Sequence, residues 1–197
     1  MEVLKNFITE AFGDIALTHS VCEGLELCLV SPDGDSKCFI SAGLSNKKMP
    51  AEDPSRARAE IMLSASSELC CDLKVLEEVS RVLEYASSLP FERKRAFEMG
   101  EVIKAPREFF LAWGYDGFLV FPVMQMRDKD EPINFFVLIP LYASEAQWIE
   151  ELGWESFVPL YNMSVDEREL FCFDVKRAPI DPGLEMPESH GSCDERD

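Results

Sequence analysis

The segment from Ile133 to Gly153, INFFVLIPLYASEAQWIEELG, restricts the fold more than any other part of the chain. Its apolar run, Phe135 to Ala143, is nine residues long, whereas a membrane-spanning helix needs about 20. Such a dense run of aromatic and branched side chains predicts a strand that is buried on both faces. Pro140 ends this strand, and Ser144 with Gln147 has the spacing of a helix capping box. The segment therefore predicts a central strand followed directly by a helix.

The other periodic segments predict a mixture of strands and helices. Apolar residues at helical spacing predict helices over residues 3–12 and 72–88, of which the second begins at Asp72 and is stopped by Pro90. The turn SPDGDS predicts a hairpin, and QMRDKDEP predicts a charged loop between two strands. A short apolar element is expected at WESFVPL. Strands are predicted at residues 24–30, 37–42, 61–65, 118–124, 133–141 and 169–175.

These elements predict a fold of the α/β (α+β) class, with a mixed, largely antiparallel sheet flanked by helices. A chain of 197 residues fits one domain, because single domains usually hold about 100 to 200 residues. We assign residues 1–179 to that domain. Residues 180–197 contain six acids and one arginine without a periodic pattern, which predicts an acidic, disordered tail.

The formal net charge of −18 limits the classes of partner. Such a charge repels the phosphate backbone, so we expect no nucleic-acid ligand. It can instead steer the protein onto a basic partner, or it can serve solubility alone. With no apolar run long enough for a membrane and no secretory signal at the N-terminus, we expect a cytoplasmic protein.

The residues that commonly carry chemistry form no recognisable motif in this chain. Seven cysteines, an odd number without framework spacing, indicate free and mostly buried thiols. Only His19 and His190 could supply imidazole to a metal or a nucleophile. GxSxG and glycine-rich phosphate motifs are missing. We therefore predict no catalytic residue, no metal and no cofactor.

Three segments, taken in order, resemble the signature motifs of one known protein family. The stretch LCLVSPDGDSKCFISAGLSNKKMP resembles the family's strand and TxGMSxxPM-like signature, with Gly43, Ser45 and Met49 at matching positions. SRARAEIMLSAS resembles an ERAELVIxLP-like strand, with Glu60 at the acidic position. The resemblance covers roughly residues 21–177.

The third segment, INFFVLIPLYASEAQW, is similar to the family pattern VNFYxxIPLYxxE. Its matching positions include Asn134, Pro140, Tyr142 and Glu145. One departure is Glu101, which stands where many bacterial members have a histidine. A role that depends on that histidine is not expected in this chain.

Together these segments resemble the suppressor of fused family. The resemblance implies a protein-binding module without established enzymatic activity. The eukaryotic namesake binds transcription factors of the Hedgehog pathway, and bacterial members are often proposed as immunity proteins against toxins. We therefore expect a protein partner, plausibly a basic toxin domain. The alternative is a small polar-ligand binder or an uncharacterised enzyme, with a pocket beside the GLS loop (residues 43–45), Glu60 and the start of the Glu145 helix. A purely structural role also stays open, in which Gly43 makes a turn, Glu60 caps loop amides and Asn134 bonds to backbone.

Overall fold

A seven-stranded sheet forms the centre of the part of the chain that the structure describes. The computed structural model describes residues 2–31, 36–66, 73–106, 114–165, 172 and 177–181. The strand order across the sheet is β1-β2-β3-β4-β7-β6-β5. Between the strands of the described residues, β4 and β7 pair in parallel, and the other neighbours are antiparallel. The strands are β1 (Leu17–Cys22), β2 (Leu25–Val30), β3 (Ser36–Ala42), β4 (Ala59–Ser66), β5 (Val102–Lys104), β6 (Gly117–Asp128) and β7 (Glu131–Leu141).

Within the described ranges, four α-helices cover the two faces of this sheet. Helix α2 packs across one face through an apolar stripe that includes Val79, Val82 and Leu83. Helix α1 covers part of the opposite face with Leu4 and Ile8, and α3 and α4 cover the rest of it. The helices are α1 (Glu2–Phe12), α2 (Leu73–Arg93), α3 (Ala143–Leu152) and α4 (Trp154–Ser164), and short 3-10 turns occur at Leu44–Asn46 and Pro54–Arg56.

Strand β7 is buried on both faces, as its sequence predicts. Phe136 and Leu138 belong to the cluster beneath α2, whereas Val137 and Ile139 pack against α3 and α4. Phe135 joins the cluster beneath α1. Because side chains alternate between faces along a strand, a run of large apolar residues fits only where both faces are covered. The predicted α+β architecture, a mixed and largely antiparallel sheet flanked by helices, is confirmed.

Three predicted features near element ends are wrong. Pro90 does not stop α2, which continues to Arg93, because proline keeps a helical φ and its cost is local to one turn. The charged loop between β6 and β7 is instead part of two long strands joined at Lys129 and Asp130, which have φ of 50° and 68°. Ser144 does not cap α3, because Tyr142 occupies the N-cap and Glu145 the third helical position.

The structure also contains strands and a full helix that the sequence pattern did not predict. Strands β1 and β5 were not predicted, since β1 is almost wholly exposed and β5 has three residues. WESFVPL belongs to a full helix, α4. Of the predicted strand 169–175, only Cys172 is described, and it bridges Ser64 in parallel. Asp72 and residues 182–197 of the predicted tail lie outside the described residues.

Candidate functional site

The first group of predicted site residues surrounds the carboxylate of Glu60, which lies on β4 and is completely shielded from solvent. Its Oε1 accepts hydrogen bonds from the backbone N–H of Gly43 (3.1 Å) and of Ser45 (3.0 Å). Its Oε2 accepts from Ser41 Oγ at 2.5 Å, and the same hydroxyl accepts from the N–H of Ile61 at 2.8 Å. Glu60 therefore fastens the GLS loop onto the sheet.

The protonation of Glu60 depends on two opposing effects. Burial raises the pKa of its carboxyl above the ordinary value, and the hydrogen bonds that it accepts from the loop act in the other direction. Gly43 has a φ of 123°, a backbone conformation that residues other than glycine rarely adopt. The loop is thus shaped so that the amides of Gly43 and Ser45 converge on one carboxylate oxygen, and Glu60 has no exposed surface that could meet a substrate.

Arg58 holds the GLS loop from its other side. Its Nε donates to the carbonyl of Ser45 at 3.0 Å, and its Nη2 lies 3.0 Å from a carboxylate oxygen of Asp128. Nη1 lies 3.4 Å from Glu131, which also pairs with Lys48. A groove of about 390 Å³ beside these side chains carries charges of both signs. Sequence reasoning missed Arg58, because nothing local shows that its guanidinium reaches the β6–β7 hairpin.

Asn134 and Met49 belong to the same end of the sheet but are engaged with backbone and core. Asn134 Nδ2 donates to the carbonyl of Ser55 at 2.9 Å, and its Oδ1 accepts from Gln125 at 2.8 Å. Met49 is buried, and its N–H donates to the carbonyl of Ala57 at 2.7 Å. Both residues fix the loop that precedes β4.

The second group of predicted residues lies around Glu145, which is also completely buried. Its Oε2 accepts from the N–H of Tyr142 at 2.9 Å, which closes the N-terminus of α3. Arg177 forms a bidentate ion pair with the same carboxylate and donates to the carbonyl of Pro140 at 2.9 Å. The N–H of Ile180 donates to Glu145 Oε1 at 3.0 Å. Glu145 is therefore the anchor of the segment 177–181.

Three tyrosines surround the guanidinium of Arg177. Its central carbon lies 5.9 Å from the ring centroid of Tyr115, 5.0 Å from that of Tyr142 and 5.2 Å from that of Tyr161. Burial opposes the charge of Arg177, but the hydrogen bonds and charge of Glu145 outweigh it and raise the arginine pKa. Sequence analysis named Tyr142 and Glu145 but not Arg177, because an isolated arginine carries no local signal of such a partner.

The two carboxylates do not share a site. Glu60 lies opposite Phe135 in the β4–β7 register, whereas Glu145 follows the far end of β7 at Leu141. Six residues of strand separate those ends, about 20 Å at the usual rise per residue. The alternative that placed Glu60 and the Glu145 helix beside one pocket is therefore wrong in that form. Grooves do flank the GLS loop on both sides, but neither carboxylate lines them.

The described residues thus define an α+β protein in which buried carboxylates hold loops onto a single mixed sheet. The family model described as Suppressor of fused protein (SUFU) matches residues 23–178. The chain belongs to the suppressor of fused family. No curated protein matches its sequence.

Solved structures show the same fold at low sequence identity. The chain is similar to a structure of the Sufu–Fu complex, with 9% identity, a TM-score of 0.68, and coverage of 90% of this chain and 91% of the other. It is also similar to a SUFU homologue from Neisseria gonorrhoeae, with 13% identity, a TM-score of 0.54, and coverage of 91% and 84%. At these identities the likeness concerns the fold alone. None of the described helices is both long and apolar enough to cross a membrane.

Proposed function

We propose that this chain is a non-enzymatic protein-binding module of the immunity or antitoxin type, which neutralises a basic partner in the cytoplasm. Family membership supports a binding role, because Sufu itself has been crystallised in a Sufu–Fu complex. The buried carboxylates support it too, since Glu60 and Glu145 are occupied in holding loops. Both would have to leave their partners before they could act on a substrate.

The observation that carries the basic-partner proposal is the excess of exposed carboxylates that form no salt bridge within the described residues. Few exposed basic side chains are likewise without a salt bridge among the described residues: Lys47, Lys94, Arg127 and Lys129. Charges without a partner on the protein itself steer an oppositely charged partner at little desolvation cost. The acidic side chains are Glu2, Glu10, Asp14, Glu23, Glu52, Asp53, Glu77, Glu84, Glu92, Asp116, Asp130, Glu151 and Glu155.

Affinity capture at two ionic strengths, followed by a growth assay, tests this proposal. The immobilised protein should retain a basic protein at low salt and release it at high salt, because screening weakens long-range attraction between exposed charges. Expression of the retained protein should stop growth, and co-expression of this chain should restore it. Capture of no basic protein at either salt concentration, or continued toxicity during co-expression, would overturn the proposal.

A further inference from the structure

One groove beside the GLS loop has an apolar interior and an acidic rim. It has a volume of about 500 Å³ and lies between the β1–β2 turn, the GLS loop and the last turns of α2. Leu25, Leu44 and Phe91 supply apolar walls, and Gly24 leaves one side open. In the described part of the chain, no atom lies within 4 Å of the position that a Cβ at Gly24 would occupy. The groove is large enough for one aromatic side chain.

The α2 side of this groove includes Ser87, whose hydroxyl is unsatisfied. Ser87 is 8% exposed, and its hydroxyl oxygen is buried without a hydrogen-bond partner in the described part of the chain. The two other serines of α2 in the described residues have acceptors. Ser80 donates to the carbonyl of Leu76 at 2.7 Å, and the single proton of Ser88 can go either to the carbonyl of Tyr85 at 2.9 Å or to Glu92 at 2.5 Å. Buried hydroxyls usually have partners, and the Ser87 oxygen has none among the described residues. This oxygen is closed to solvent, so a group in the groove reaches it only when the side chain turns to another staggered rotamer.

The rim determines the charge of the occupant. Glu23, Glu84 and Glu92 line the opening, against a single basic side chain, Lys47. None of the four forms a salt bridge among the described residues, and Glu92 accepts only from Ser88, at 2.5 Å. An occupant with positive charge on both sides of its apolar anchor would meet these carboxylates, whereas an acidic one would be repelled.

We propose that this groove is the docking site for a tyrosine flanked by lysine or arginine on a protein partner. The ring would fill the apolar interior, its hydroxyl would bond to Ser87 after that side chain turns toward the groove, and the basic neighbours would lie against Glu23, Glu84 and Glu92. Tyrosine and arginine are enriched among residues that dominate binding energy at interfaces. This inference rests on the proposed function, since it gives the basic partner a specific point of contact.

Titration with short labelled peptides tests the site without the natural partner. The probe is a fluorescein-labelled peptide with tyrosine between pairs of Lys and Arg, compared with peptides in which phenylalanine or alanine replaces the tyrosine. We expect the tyrosine peptide to bind about 5-fold more tightly than the phenylalanine peptide, the effect of one net hydrogen bond. The alanine peptide should bind weakest of the three. Equal affinity of the tyrosine and alanine peptides would overturn the proposal.

Two substitutions separate the hydroxyl contact from the charge. Ser87→Ala should abolish the preference for tyrosine over phenylalanine while leaving the affinity for the phenylalanine peptide unchanged. Glu84→Lys should weaken both peptides about 10-fold at low salt. Glu77→Lys, an equal charge change on an exposed position of α2 outside the groove, is the matched control and should have a smaller effect. An unchanged tyrosine preference in Ser87→Ala would contradict the assignment.

The same variants distinguish failure of this site from failure of the proposed function. If a captured basic partner binds Glu84→Lys and Ser87→Ala as tightly as the original chain, the groove is not its docking site, although the protein-binding role stands. Urea unfolding serves as the folding check, because Ser87→Ala removes no hydrogen bond and places a better helix former in α2. A clear loss of stability in this variant would show that the hydroxyl is used within the fold, and would overturn the proposal.

Discussion

Glu60 and Glu145 are both completely buried carboxylates, yet their surroundings differ. Glu60 accepts hydrogen bonds from two backbone amides and a hydroxyl and has no cationic partner among the described residues, whereas Glu145 is paired with Arg177. A buried carboxyl group without a neighbouring cation favours its protonated form. In a buried ion pair, both groups keep their charges only while both partners are present. The two residues are therefore expected to respond differently to pH and to substitution.

Substitution of Glu60 should separate hydrogen bonding from charge. Glu60→Leu leaves the buried N–H groups of Gly43 and Ser45 without acceptors, and should lower the free energy of unfolding by about 2–4 kcal/mol. Glu60→Gln keeps a carbonyl oxygen for these amides and should lose less. Urea unfolding of the three proteins provides the comparison. Equal losses in both variants would contradict the loop-holding role.

The original chain and Glu60→Gln should differ in how their stability depends on pH. Because the folded state raises the pKa of Glu60 above its ordinary value of 4.5, it binds this proton more tightly than the unfolded chain does. The stabilising contribution is complete below that value and is lost as the pH rises through the folded pKa. Glu60→Gln cannot ionise, so its stability should decline less over this range. Urea unfolding from about pH 4 to about pH 8 measures the difference, and parallel pH profiles would refute it.

Arg177 and Glu145 should show strong energetic coupling. Arg177→Met strands a fully buried carboxylate and should cost about 3–5 kcal/mol, while the double variant with Glu145→Gln should lose less than the sum of the single losses. The exposed pair Lys104 and Glu150 is the control, because such a pair contributes at most about 1 kcal/mol. Additive losses at Arg177 and Glu145 in urea unfolding would contradict the ion-pair anchor.

At the scale of elements, most of the features that the sequence did not predict lie at the ends of strands and helices and in their connections. The strands β2, β3 and β7 and the helices α1 and α2 have the periodicities that the sequence predicts. By contrast, the exposed strand β1 has no alternation of polar and apolar residues, so its pairing with β2 decides its conformation. The family signature residues could be named from the sequence, but their separation into two groups depends on the β4–β7 register. Arg177 could be placed only by tertiary contacts.

The β6–β7 hairpin allows a stabilising change. Lys129 and Asp130 both have positive φ, which asparagine and glycine adopt at lower cost in a two-residue turn. Replacing the pair, with Lys129→Asn and Asp130→Gly together, should raise the free energy of unfolding by about 1 kcal/mol. Thermal and urea unfolding would both report the change. A loss of stability would mean that these two side chains support the turn in another way.

The entry to β5 depends on the fit of one glycine against α4. Gly100 has a φ of 83°, and a Cβ there would lie 1.9 Å from Cδ1 of Trp154. Gly100→Ala should therefore cost several kcal/mol, more than the approximately 1–2 kcal/mol expected from the backbone conformation alone. Gly24→Ala is the matched control, since its φ is 79° with no atom within 4 Å. Similar losses for both in urea unfolding would show that Trp154 yields easily.

For the whole molecule, the net charge of −18 predicts a dependence of stability on salt. Repulsion among like charges opposes the compact state, and added salt screens it. The urea midpoint should therefore rise from low ionic strength to about 0.15 M NaCl, where the Debye length is about 8 Å. Sodium chloride is compared with an equal osmolality of an uncharged solute as the control. A falling midpoint would show that the ion pairs, which salt weakens, dominate over self-repulsion.

The parallel pairing of β4 with β7 has a consequence for how the chain folds. Strands β1 to β4 follow one another as a meander, and β6 and β7 form a hairpin, so each half needs only contacts that are near in sequence. The junction joins Ala59 to Asn134, about 75 positions apart, and closure of such a long loop costs more entropy than a hairpin does. Assembly of the two halves is therefore the step that should set the folding rate. Glu60 and Asn134, two residues of the family signature, stand on either side of that junction.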